Sequence, residues 1–247
     1  MGKHKIVLIL ALACLFCAGL WGCGAQEPPE EADPAQQATG EAAEPFDWEP
    51  VALTTTAQGE TCFVLSPQEF IQRYNSLFRA QWGEDMLPPL AQWMDYGTEE
   101  PSGAGGGHQY VSLMDESNYA EPFLSLWVTQ NGKRVMETVT GVSQKNYEEG
   151  PMTLFQRKAQ SSLQVFFPAL TEEDFLALYD QLFQGGQYEV AGESPRPIRV
   201  FYQDGVACYA TLQIGECDQI HVMAAGQEQL DQWRADGVEI VEGICPS

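Results

Sequence analysis

A thirteen-residue segment occurs twice in this chain, and that repeat constrains the fold more than any other feature. Ser66-Pro67-Gln68-Glu69-Phe70-Ile71-Gln72-Arg73-Tyr74-Asn75-Ser76-Leu77-Phe78 aligns without gaps on Thr171-Glu172-Glu173-Asp174-Phe175-Leu176-Ala177-Leu178-Tyr179-Asp180-Gln181-Leu182-Phe183. Each copy opens with a hydroxyl residue and an acid three positions on, the pattern of a capping box. In the first copy Pro67 takes the first helical position, where proline is favoured. The apolar positions then recur at helical spacing. Phe70, Ile71, Tyr74, Leu77 and Phe78 form one stripe, and Phe175, Leu176, Tyr179, Leu182 and Phe183 its counterpart. Two helices of this kind must each bury one face.

Strand patterns follow each helix. After the first they are expected over 110–114, 123–130 and 133–142, with Asn131-Gly132 as a hairpin signal. After the second they are expected over 198–202, 206–214 and 219–224. A three-residue turn at Gln203-Asp204-Gly205 would pair Tyr202 with Val206 and put the apolar sets of both strands on one face. Helices are expected near 150–167 and 227–235. Helices followed by runs of antiparallel strands define an α+β protein. The expectation is two helix-plus-antiparallel-sheet repeats, residues 51–145 and 146–247, packed as one domain or two lobes.

The N-terminus gives an address. Met1-Gly2-Lys3-His4-Lys5 is a basic head, Ile6–Leu20 carries no charge, and Leu20-Trp21-Gly22-Cys23 ends the apolar run. That plan is a secretory signal, residues 1–22. Leu20 and Gly22 before Cys23 resemble the lipobox of bacterial lipoproteins. The resemblance implies that Cys23 becomes the lipidated N-terminus and holds the protein on the extracytoplasmic face of the cell membrane. Residues 23–50 follow as an acidic, proline-rich tether, a composition too polar to order itself. As a coil it would reach roughly 30 Å. The folded part also resembles small exported lipoproteins with no named activity and, at the level of fold alone, tandem helix-plus-sheet proteins such as the β-lactamase inhibitor proteins. That likeness names no activity.

Charge narrows the partners. The chain has 12 Lys+Arg against 35 Asp+Glu, and loss of the signal would remove Lys3 and Lys5 but no acid. Nucleic acid is excluded as a partner, because neutralising phosphates requires clustered cations. Chemistry is sparse. His108 follows a glycine run, and His221, between Ile220 and Val222, is expected to face solvent. Neither has a partner at metal-ligand spacing, so no metal and no cofactor are expected. No Gly-x-Ser-x-Gly turn is present. Cys62, in a strand-like stretch, has no catalytic signature. Cys208 points to the core with Val206 and Ala210. Cys62, Cys217 and Cys245 are the candidate disulfide cysteines, with connectivity open. Trp82 and Trp93 flank the apolar loop Met86–Leu90 and are the candidate binding patch, as exposed aromatics would suit a protein or sugar contact. The expectation is a non-enzymatic binding module, with an envelope hydrolase or a solute-binding lipoprotein as the alternatives.

Overall fold

The computed structural model describes residues 48–83, 86–97, 108–112, 122–143, 152–183, 188–191, 194–213 and 217–244. Cys23, the signal and the tether up to residue 47 lie outside them, as does Cys245. The folded part begins earlier than expected. Trp48 packs against the core and lies under the Arg73 guanidinium, 5.4 Å from its carbon to the ring centroid.

A short hairpin, β1 (Leu53–Thr55) and β2 (Thr61–Phe63), precedes helix α1 (Pro67–Trp82). The Ser66 side chain accepts from the Glu69 backbone N–H, and the Glu69 carboxylate accepts from the Ser66 N–H at 2.8 Å, so the capping box is complete. Gly83, at φ 85°, ends the helix in the left-handed conformation that glycine adopts without strain. Strands β3 (Met94–Gly97), β4 (His108–Val111), β5 (Phe123–Val128) and β6 (Val135–Ser143) form an antiparallel meander. Helices α2 (Leu154–Gln164) and α3 (Glu172–Phe183) follow. A hairpin of β7 (Tyr188–Ala191) and β8 (Ser194–Pro197) leads to a second meander, β9 (Arg199–Gln203), β10 (Val206–Gln213) and β11 (Cys217–Ala224). Helix α4 (Gln227–Ala235) and strand β12 (Glu239–Glu242) complete the described chain.

The fold is α+β, and eight strands drawn from both halves form one sheet, beside the two-stranded hairpins β1–β2 and β7–β8. The order of the eight-stranded sheet is β12-β9-β10-β11-β6-β5-β4-β3. The last strands of the two meanders, β6 and β11, pair antiparallel at the centre, from Cys217↔Ser143 to Met223↔Glu137. Among the described strands only β12 runs parallel to its neighbour, β9.

One face of the sheet carries the main core. All five residues of the first stripe are buried there, Phe70 and Tyr74 completely. Burying each such side chain is worth about 1.5–3 kcal/mol. The second stripe is rotated from its expected position. Phe175, Leu178 and Leu182 are buried, whereas Leu176, Tyr179 and Phe183 are half-buried against the same core. Helix α2 is tied to the sheet by a buried hydrogen bond of 2.8 Å between the Thr138 and Ser162 hydroxyls.

Two turns depart from expectation. Val206 pairs with Gln203 and Cys208 with Phe201, so Asp204-Gly205 is a two-residue turn. Both residues have positive φ, 49° and 88°, as a type I′ turn requires. The three-residue turn was expected because it places both apolar sets on one face. Here both faces are covered. Phe201 and Cys208 enter the main core, while Val200 and Ala207 enter a second cluster on the opposite face with Leu230 and Trp233 of α4. The other hairpin is longer than Asn131-Gly132 alone. Thr129 N–H donates to Arg134 C=O, Gly132 sits at φ 69°, and Asn131 accepts from the Lys133 N–H.

Candidate functional site

The expected aromatic patch is not on the surface. Trp93 is 6% exposed, and its indole N–H donates to the Pro88 carbonyl at 2.9 Å. Trp82 packs on Phe78 with ring centroids 4.7 Å apart and is half-buried against the core. The loop between them folds inward, held by Asn75, whose side chain bonds both the N–H and the C=O of Leu87. Both tryptophans therefore serve packing.

Polar chemistry gathers instead on the second face of the sheet. Alternation puts His221, Glu137 and Tyr209 on that face, and the pairings Tyr209↔His221 and Met223↔Glu137 bring them together across three strands. His221 Nδ1 lies 2.6 Å from Glu137 Oε1, and His221 Nε2 lies 2.7 Å from Thr211 Oγ1. An ionised carboxylate only accepts, so Nδ1–H donates to it, and in the neutral ring Nε2 accepts from the Thr211 hydroxyl. The Tyr209 hydroxyl donates to the same Oε1 at 3.2 Å, and its ring stacks on His221 at 4.6 Å. Burial, reinforced by the Glu137 charge, pushes the Tyr209 hydroxyl well above its usual range. Trp233 of α4 closes over Tyr209 edge-on at 5.8 Å.

His221 is thus not a solvent-facing residue: its side chain is 14% exposed and that of Glu137 8%. The alternation placed it on the correct face, but α4 covers part of that face. Trp233 and Leu230, three apart on α4, were the signal that this face had something to bury. The acid–imidazole–hydroxyl order matches the relay of nucleophilic enzymes. Its hydroxyl, however, belongs to Thr211, which is 2% exposed. A nucleophile has to reach a substrate, so this arrangement is a polar tie among β6, β10, β11 and α4. The other histidine, His108, is half-buried on β4 with Nε2 2.5 Å from Asp95 Oδ1 of β3 and its ring against Tyr110.

A groove of about 420 Å³ opens beside the tie. It is lined by Gln58, Gly59 and Glu60 of the β1–β2 loop with Thr61 at the start of β2, by Met136 of β6 and Met223 of β11, and by Gly226, Glu228, Gln229 and Gln232 at and after the start of α4. Glu60 is held in place there: its carboxylate accepts from the Thr56 hydroxyl and from the Gln130 backbone N–H, both at 2.9 Å. Carboxylates, amides, thioethers and the Thr61 side chain line the groove, with no Lys, Arg, His or Cys among the described residues that form it.

The cysteines give no reactive centre. Cys62 and Cys208 are buried free thiols, and burial pushes both up from the usual thiol range. The disulfide considered at Cys62 is therefore not formed. Its candidate partners, the Cys217 side chain and Cys245, lie outside the described residues. Among the described residues no group of three or more His, Cys, Asp or Glu is placed to hold a metal. Among them, too, no helix is long and apolar enough to cross a membrane. Set against known proteins, the chain matches no family model, no curated protein and no solved structure.

Proposed function

We propose that the protein is a lipid-anchored extracytoplasmic binding module, attached through Cys23 and engaging its partner through the groove between α4 and the β1–β2 loop. The observation that carries the binding reading is the groove. It is of a size for a ligand and polar, with Glu60, Glu228, Gln58, Gln229 and Gln232 among the residues that line it. The anchor rests on Lys3, the apolar run and the Leu20–Cys23 motif. The acidic tether would hold the domain clear of the headgroups.

A photo-crosslinking residue at Gln232, on the groove, tests this reading in intact cells against the same residue at Gln181, on α3. The reading expects a discrete adduct from Gln232 and none from Gln181. Equal yields from the two positions would remove the groove from the account.

An enzymatic reading has one observation in its favour, the Glu137–His221–Thr211 order. It requires covalent labelling of Thr211 by an acylating or phosphonylating probe. Mass spectrometry of the labelled chain, with Thr211→Val as control, decides it: unmodified Thr211 removes the reading.

A further inference from the structure

Resting on the groove as the binding site, we infer that its occupant is basic: a lysine or arginine side chain presented by a peptide segment of a partner protein. Two carboxylates line the groove, Glu60 from the β1–β2 loop and Glu228 from α4, and no Lys or Arg is among its lining residues. An anionic ligand would meet repulsion from both carboxylates, with no cation among the lining residues. Glu60 is also pre-organised. Two donors fix its orientation, and a carboxylate has about four acceptor positions, so acceptor capacity remains for a ligand.

The methionines that line the groove suit the rest of such a side chain. Met136 and Met223 offer polarisable, adaptable thioethers, against which the methylene stem of lysine or arginine packs while its charged head stays at the polar rim. Gln58, Gln229 and Gln232 add amide carbonyls that accept from an ammonium, a guanidinium or a peptide N–H. A purely apolar ligand would offer these amides and carboxylates no hydrogen-bond partner. The excess of 35 acidic over 12 basic residues acts in the same direction at long range, raising the encounter rate with a basic partner.

The test uses the full chain in detergent with its methionine methyl groups labelled for NMR. The probes are the blocked tripeptides Ala-Lys-Ala, Ala-Arg-Ala, Ala-norleucine-Ala and Ala-Glu-Ala. The lysine and arginine peptides are expected to shift the Met136 and Met223 methyl signals with affinities on the order of millimolar. The norleucine peptide, which keeps the stem and loses the charge, should bind at least about tenfold more weakly, and the glutamate peptide should give no shift. Glu60→Gln and Glu228→Gln should each weaken the lysine peptide about threefold. Glu228→Lys should reverse the preference toward the glutamate peptide. That reversal is a readout that damage to the β1–β2 loop cannot produce. Equal binding of lysine and norleucine peptides, or binding that leaves both methyls unmoved, overturns the inference. If Gln232 still crosslinks a partner in that case, the module reading stands and only the basic occupant falls. If the lysine peptide binds as expected and Gln232 crosslinks nothing in cells, the converse holds.

Discussion

His221→Ala should be one of the more destabilising single substitutions in this protein. The ring makes one hydrogen bond of 2.6 Å to a buried carboxylate and one of 2.7 Å to a buried hydroxyl. Hydrogen bonds to charged groups contribute about 1.5–3 kcal/mol and neutral ones about 1 kcal/mol. The parallel stack on Tyr209 adds about 0.5–1.5 kcal/mol. The side chain is 14% exposed, so water repays part of this loss. A net cost of about 3 kcal/mol follows, mostly from leaving Glu137 with the Tyr209 hydroxyl as its one remaining partner in the tie. Urea unfolding followed by tryptophan fluorescence measures it. At an m-value of about 2–3 kcal/mol/M, the midpoint should fall by about 1–1.5 M. The double substitution Glu137→Leu with His221→Leu separates this account from a simple packing effect. Removing both members of a buried pair is often close to neutral, whereas removing one strands the other. The double variant should therefore be more stable than His221→Ala. A His221→Ala protein within about 0.5 kcal/mol of the parent, or a double variant less stable than the single, would refute the reasoning.

Other expectations follow from single contacts. A Cβ at Gly141 would lie 2.3 Å from the Phe123 ring, so Gly141→Ala should cost about 1–3 kcal/mol in urea unfolding, and Phe123→Leu should recover most of it. Trp93→Ala should lower stability by about 3–5 kcal/mol, as truncation of a buried aromatic does. Hydrogen bonds from Ser66, first its backbone N–H and then its hydroxyl, hold the Glu69 carboxyl below its usual 4.5. With the folded value depressed, the contribution of Glu69 is present above about pH 4.5 and lost as pH falls through the lower folded value. The stability gap between parent and Glu69→Ala should therefore shrink as pH falls below about 4.5. Cys62 and Cys208 should resist iodoacetamide in the native protein and react once urea unfolds it, because burial raises both thiols.

Much of the fold was legible in the sequence because it rests on local signals. Both capping boxes form: Thr171 Oγ1 accepts from the Asp174 N–H while Asp174 accepts from the Thr171 hydroxyl and N–H. Helix α4 occupies 227–235 as expected, and β5, β6, β9, β10 and β11 lie within a few residues of their expected bounds. The inward placement of Cys208 followed from alternation alone. What was not legible depends on tertiary cover. β3 and β12 are four-residue edge strands with little periodicity of their own. The turn at Asp204-Gly205 was misjudged because a sheet buried on both faces does not announce its register by one apolar face. The same cover hid the candidate site. His221 looked solvent-facing until α4 was laid over it, and Glu137 lies 84 residues away in sequence. The groove brings together the β1–β2 loop, β6, β11 and α4, and no motif links those segments. Trp82 and Trp93 misled in the opposite direction, since an apolar loop between two tryptophans reads equally well as a surface patch or as a folded-in plug.

The central claim joins an anchor to a groove, and one comparison in living cells tests both. A photo-crosslinker at Gln232 is placed in the parent and in Cys23→Ala, with palmitate incorporation measured in the same cultures. The account predicts palmitate and a Gln232 adduct in the parent, and loss of palmitate together with a large fall in adduct yield in Cys23→Ala at equal protein level. Equal palmitate in both proteins, or an adduct yield unchanged by loss of the lipid, would contradict it.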